Sequence, residues 1–247
     1  MLRERVHPGG WRTLVSPKLE SLGVPHGFTT AIGGGDGRWS VKSADDLSPM
    51  LDEEGFGRRV VVMGRQVHGS EVSLPGVPSS RGCDGFDAHA TNRPDEMVAV
   101  RTADCVPVLL SATDGGCVAA VHAGWRGLEA GVIAKACAAV RDLEPVAGLI
   151  AAIGPCVCVE HYEVGEEVAG RFEHGVVRNE RWLKPHLDLR AVALRQLLAS
   201  EVHPDQIDVA TECTFSDAKR FGSYRRDGVG CGHQAAYIGV RGEPDGS

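Results

Sequence analysis

The chain has 247 residues, 43% of them apolar and 24% charged, with a formal net charge of −7. That length buries a sizeable core without disulfides or metals, and the balance excludes a wholly disordered chain. The acidic excess argues against a general nucleic-acid binder, and no apolar run of about 18 residues suggests a membrane span.

Met1 to Pro8 lacks the apolar core of a signal peptide, so the cytoplasm is the expected compartment. The stretch from Gly33 to Gly57 is rich in Gly and Asp and reads as loop with at most a short helix. Val60 to Met63 is β-branched and reads as a strand, and Pro75 to Gly85 as a second loop. Met97 to Val100 and Val106 to Leu110 read as two buried strands. Pro107 demotes the second to an edge or a bulge. Cys117 to Val121 is another strand, closed by His122.

Gly124-Trp125-Arg126-Gly127 turns the chain into a helix. Leu128, Val132, Ile133, Ala136 and Val140 mark its apolar face. Leu149 to Ile153 reads as a strand and Val164 to Phe172 as a short helix. Asp188 caps a further helix with Leu189, Val192, Ala193 and Leu197 inward. Ile207 to Ala210 and Ala235 to Val240 close the fold as strands. Strands and helices mix without β-α-β alternation, and no repeat or linker is visible. The expected architecture is therefore α+β: one compact domain over residues 1–247, with a mixed sheet flanked by helices.

Eight cysteines stand at 83, 105, 117, 137, 156, 158, 213 and 231, with no Cys-x-x-Cys pair. Zinc ribbons and thioredoxin-type sites have no support, and most of the thiols are expected to be reduced and buried. Cys156 and Cys158 form only Cys-x-Cys, and Cys83 and Cys231 carry no assigned role.

His68, Cys105 and His122 fall at the ends of expected strands. Imidazole and thiolate are preferred zinc ligands, and three of them leave a position for water or substrate. Zinc in such a set keeps the thiol deprotonated and acidifies bound water. The gaps between the three match no local zinc motif, and a His at a strand end is ordinarily a packed or solvated residue. A Cys-His dyad, with Cys105 as nucleophile and His122 or His68 as base, fits the same residues. Sequence physics alone leaves the two open.

Several strings occur here in order. They are Gln66-Val67-His68-Gly69, Thr102-Ala103-Asp104-Cys105-Val106-Pro107, His122-Ala123-Gly124-Trp125-Arg126-Gly127, Ile153-Gly154-Pro155-Cys156, Tyr162-Glu163-Val164-Gly165, Glu212-Cys213-Thr214 and Ser223-Tyr224-Arg225-Arg226. Together they closely resemble the YfiH-like family, also called the laccase-domain or multicopper-polyphenol-oxidase-like family, from about Gly27 to Val240. The resemblance implies the YfiH-like fold and one zinc ion held by His68, Cys105 and His122. It also implies purine nucleoside phosphorolysis: adenosine, inosine, guanosine and methylthioadenosine yield base and ribose 1-phosphate, with adenosine deamination alongside. A peptidoglycan-precursor editing hydrolase and a non-catalytic zinc-binding protein are the alternatives. Laccase chemistry is not expected, because several copper sites need clustered His-x-His ligands and none of the ten His forms such a pair.

Around the expected zinc, the catalytic set is Cys105, His68, His122 and Asp104, the last to orient a ligand or carry a proton. Gln66 is a candidate to contact substrate or brace a ligand, and Arg126, Arg225 and Arg226 are candidates to bind substrate or phosphate, since guanidinium groups match phosphate geometry. A helix start at Gly124 to Gly127 favours anions as well. Trp125 reads as core or pocket wall. Two departures from the family pattern weaken the phosphate reading: Ala31 and His233 stand where Arg is usual, and His233 is mostly neutral at pH 7. The expected partners are a purine nucleoside and phosphate, with no nucleic acid or membrane, and the expected state is a monomer.

Overall fold

The computed structural model describes residues 1–32, 39–57, 59–76, 85–145, 148–178 and 181–242. Parts of the two expected loops, 33–38 and 77–84, and Cys83 lie outside the described residues. The strands are β1 Arg3–Val6, β2 Arg12–Val15, β3 His26–Thr29, β4 Val60–Val62, β5 Val72–Ser73, β6 Ala88–Thr91, β7 Glu96–Thr102, β8 Val106–Ala112, β9 Val118–Ala123, β10 Leu149–Ile153, β11 Val177–Arg178, β12 His186–Leu187, β13 Ile207–Val209 and β14 Gln234–Gly239. The α-helices are α1 Pro17–Ser21, α2 Ser48–Glu53, α3 Trp125–Glu129, α4 Val132–Leu143, α5 Glu166–Ala169, α6 Leu189–Ala199 and α7 Tyr224–Asp227. None of the described helices is long and apolar enough to cross a membrane.

The α+β class and the mixed strand directions hold, with the strands divided between two six-stranded sheets. One runs β1-β2-β3-β14-β7-β4, the other β13-β10-β8-β9-β6-β5, and β11 and β12 form a separate pair. Most pairings are antiparallel, but β4 pairs with β7, β5 with β6 and β10 with β13 in parallel.

Side-chain alternation explains the layers. On β8, Val106, Val108, Leu110 and Ala112 pack with Ile133, Ala136 and Val140 of α4 and with Val192, Ala193 and Leu197 of α6. Leu109 points the other way and meets Phe28, Val98, Val100, Ala236 and Ile238 of the first sheet. The second sheet is thus covered on both faces, which is why β8, β9 and β10 read as unbroken buried runs. The outer face of the first sheet carries Ala99 and Tyr237 under Leu47, Met50 and Leu51.

Two expected elements differ from those observed. Val106–Ala112 is a central strand, lying between β10 and β9, and not an edge. Pro107 is tolerated because it sits beyond the last β10 pair, Ile153 with Val108. There its carbonyl still accepts from Gly154 N–H at 2.9 Å, and only the return donor of that terminal rung is missing. The apolar face from Leu128 to Val140 is carried by two helices, because Gly131 adopts φ +75 between them.

Candidate metal centre and active site

β7 belongs to the first sheet and β8 to the second, so the chain crosses between sheets at Ala103-Asp104-Cys105. Asp104 turns this corner at φ +91 and delivers Cys105 to the rim. On β9, His122 shares a face with Val118 and Ala120, the face turned toward the first sheet. His68 comes from the loop between β4 and β5 and is held at φ +60. The ligand atoms of His68, Cys105 and His122 all lie within 4.8 Å of one another. The two imidazole rings stand edge to face, 84° apart, with centroids 4.8 Å apart.

The group that assembles them is Asp87, which sequence reasoning missed. Its carboxylate accepts from the backbone N–H of Val67 (3.2 Å), His68 (3.0 Å) and Gly69 (2.6 Å). The same carboxylate meets His122 Nδ1 at 2.7 Å, which leaves Nε2 as the free ligand atom. Gly124, at the N-terminus of α3, must be glycine. A Cβ there would stand 2.9 Å from His68 Cδ2 and 3.0 Å from Cys105 Sγ.

Burial opposes the Cys105 thiolate, but the charges and hydrogen bonds of His122 and His68 bring the thiol down to about 6. Burial likewise opposes a charged His122, and Cys105 and Asp87 raise it to about 9. The set is therefore a thiol biased to its anion and two oriented imidazoles. That donor chemistry fits zinc.

The three ligands line a cavity of about 550 Å³, in the size range of small-molecule sites. Its cationic side is formed by Arg101, Arg126 and Arg225. Arg126 lies over the Trp125 ring at 4.4 Å and Arg225 over the Tyr162 ring at 4.8 Å. Arg101 was not singled out by its sequence context. Its Nη1 donates to the Lys42 carbonyl at 2.6 Å, while its Nε is buried with no hydrogen-bond partner. The only sequence signal for Arg101 is its place at the head of the Thr-Ala-Asp-Cys string.

The other expected residues divide. Trp125 is a pocket wall. Gln66 reaches the cavity, but both ends of its amide are taken by the Arg101 backbone, at 2.8 and 2.7 Å, so it braces the His68 loop. Asp104 accepts from Thr214 Oγ1 and from Arg225 N–H, each at 2.6 Å. Arg226 does not join Arg225 at the cavity. Its guanidinium donates to the carbonyls of Thr214, Phe215 and Phe221 and to Asp227, so it holds the loop before α7. His233 lines the cavity, and burial together with the charges of Arg101 and His122 lowers its pKa. Ala31 is buried and not part of the lining.

Residues 26–241 match the family model described as multi-copper polyphenol oxidoreductase laccase, and the chain belongs to that family. A purine nucleoside phosphorylase from Deinococcus radiodurans is 36% identical over 242 residues, covering 90% of this chain and 92% of the relative. Adenosine deaminase RL5, from an unknown prokaryotic organism, is 33% identical over 236 residues, covering 83% and 90%. The crystal structure of YlmD from Geobacillus stearothermophilus superposes with a TM-score of 0.83 at 25% identity, over 96% of this chain and 98% of that one. YfiH from Bacillus licheniformis has the same fold, with a TM-score of 0.81 at 21% identity over 92% and 96%.

Proposed function

We propose that this chain is a zinc-dependent purine nucleoside phosphorylase, with adenosine deamination as a second activity of the same pocket. The observation that carries the reading is one cavity lined by His68, Cys105 and His122 together with three arginines and the rings of Trp125, Tyr162 and Tyr224. The relatives named purine nucleoside phosphorylase and adenosine deaminase support it.

His68, Cys105 and His122 would hold the zinc. When bound, zinc supplies a Lewis acid that polarises an oxygen or nitrogen of a reactant. In phosphorolysis a phosphate oxygen forms a bond to ribose C1′ as the bond from C1′ to the base breaks. Arg225 and Arg126 bind and orient the phosphate, and the Arg101 guanidinium adds positive charge to the same wall. These cations offset the loss of Arg at 31 and 233. Trp125, Tyr162 and Tyr224 supply the aromatic wall for a purine, with Arg126 lying over the Trp125 ring and Arg225 over the Tyr162 ring. Asp104 positions Arg225. A proton passed through Asp104 would have to displace the bond from Thr214 or that from Arg225.

The test is chromatography of adenosine incubated with zinc-loaded protein, with and without phosphate. Adenine formed only with phosphate is the expected result, and inosine without phosphate reports the deaminase activity. Cys105→Ala should abolish both and lower zinc content. Unchanged adenosine in a zinc-loaded sample would overturn the reading and favour a cell-wall precursor hydrolase or a non-catalytic role.

A further inference from the structure

A second group of metal-ligating side chains lies apart from the cavity lining, at Cys158, His161 and Cys213. Cys158 caps the N-terminus of one short 3₁₀ turn, Val159–His161, and His161 is its last residue. Three residues make a turn of such a helix, so positions three apart eclipse, and Sγ and the imidazole share a face. Cys213 is brought alongside by a parallel bridge between Cys156 and Cys213. His161 Nδ1 stands 3.2 Å from Cys158 Sγ and 3.9 Å from Cys213 Sγ. All three ligand atoms lie within 4.8 Å of one another.

Those separations suit a tetrahedral ion. Ordinary zinc bond lengths place a thiolate and an imidazole nitrogen about 3.6 Å apart and two thiolates about 3.8 Å apart. The surroundings are also those of a prepared site. The His161 ring stacks on Phe215, with centroids 4.3 Å apart and planes 17° apart, which fixes its direction. The Cys158 N–H donates to Cys213 Sγ at 3.2 Å, a bond that favours a thiolate there. Ser216 Oγ lies 3.4 Å from His161 Nδ1, close enough to supply or support a fourth ligand. All three side chains are only partly buried, so a metal ion can reach them.

We propose that Cys158, His161 and Cys213 form a second zinc site, separate from the centre at His68, Cys105 and His122. Two thiolates and an imidazole select zinc over magnesium or calcium. Its place in the chain gives it a structural consequence. His161 precedes Tyr162, which lines the cavity, and Cys213 precedes Thr214, which donates to Asp104. Metal at this site fastens together the two segments that present Tyr162 and Thr214.

The experiment is a metal count on reduced, chelator-stripped protein reloaded with zinc alone. About two zinc ions per chain are expected in the unmodified protein, about one in Cys105→Ala, and none in Cys105→Ala/Cys213→Ala. Cobalt(II) loaded into Cys105→Ala should give thiolate-to-metal absorption that Cys158→Ala removes. In the unmutated chain, zinc should protect Cys158 and Cys213 from iodoacetamide, read by peptide mass spectrometry, and this arm needs no variant to fold. Equal alkylation of the two with and without zinc overturns the proposal. So does a folded Cys105→Ala that binds no zinc, or recovery of the pair as a disulfide from zinc-supplied protein. Failure of the first centre instead gives about one zinc in both the unmodified chain and Cys105→Ala, and none in Cys213→Ala.

Discussion

Asp87 is fully buried, and its carboxylate serves both the His68 loop and the His122 ring. Burial opposes its charge, but the His122 imidazole and the N–H groups of Gly69 and Val67 hold the carboxyl below its ordinary range. Asp87→Asn keeps the shape and removes the charge that fixes the His122 tautomer. Zinc affinity should fall roughly 10- to 100-fold, measured by competition with a chromophoric chelator. Unchanged affinity would mean that the tautomer is set elsewhere. The adjacent arginines give a second contrast. Arg225→Ala should raise the KM for phosphate about tenfold or more and leave stability nearly unchanged. Arg226→Ala strands three backbone carbonyls and should cost about 2 kcal/mol of stability, with a much smaller effect on that KM. The reverse pattern in steady-state kinetics and urea unfolding would return Arg226 to the phosphate site.

At the scale of elements, the break between α3 and α4 shows what apolar periodicity conveys and what it omits. Leu128 and Val132 are four residues apart, so the stripe continues in register across a left-handed Gly131. Nothing lies within 4 Å of a Cβ built there. Gly131→Ala therefore meets no clash and pays only for the backbone, about 1 kcal/mol in urea unfolding with an unchanged m-value. A midpoint equal to the unmodified protein would show that the two helices can fuse. The capped helix from Asp188 was fully legible, because cap and stripe are local: Asp188 accepts from Ala191 N–H at 2.9 Å. Strands β1 and β6 were not. Arg3-Glu4-Arg5-Val6 has no apolar alternation because it is a sheet edge. Ala88-His89-Ala90-Thr91 is buried only because a helix and another sheet cover it. The site divides in the same way. His68, Cys105 and His122 stand in specific strings, whereas Asp87 and Arg101 owe their roles to chain segments that meet only after folding.

On the scale of the whole molecule, each sheet buries a neutral histidine, and both work against the fold in acid. His26, on β3 of the first sheet, takes an N–H from Ser16 at 2.8 Å on Nε2 and holds the Val24 carbonyl at 2.7 Å with Nδ1. His89, on β6 of the second sheet, meets Ser73 Oγ at 2.6 Å with Nδ1, and its Nε2 is buried without a partner. Burial is the main cause that lowers both to about 4, although Asp87 pulls His89 upward and Glu20 pulls His26 upward. Both groups are neutral in the folded and unfolded states above pH 6.5, so they leave stability unaffected there. Below 6.5 the unfolded chain takes up protons first, and stability falls until about pH 4, where the folded protein protonates as well. Each histidine withdraws up to about 3 kcal/mol across this window, against a typical net stability of about 5–15 kcal/mol. The carboxyls of Asp87 and Asp208 are held below their ordinary value of 3.8 in the folded state, so the stability they give is lost only at more acid pH. Urea unfolding of zinc-loaded protein should therefore show a falling midpoint between about pH 6.5 and 5. Imidazole NMR should find His26 and His89 still neutral at the lower end. A flat midpoint, or rings that titrate near 6.5, would place the acid limit elsewhere in the molecule.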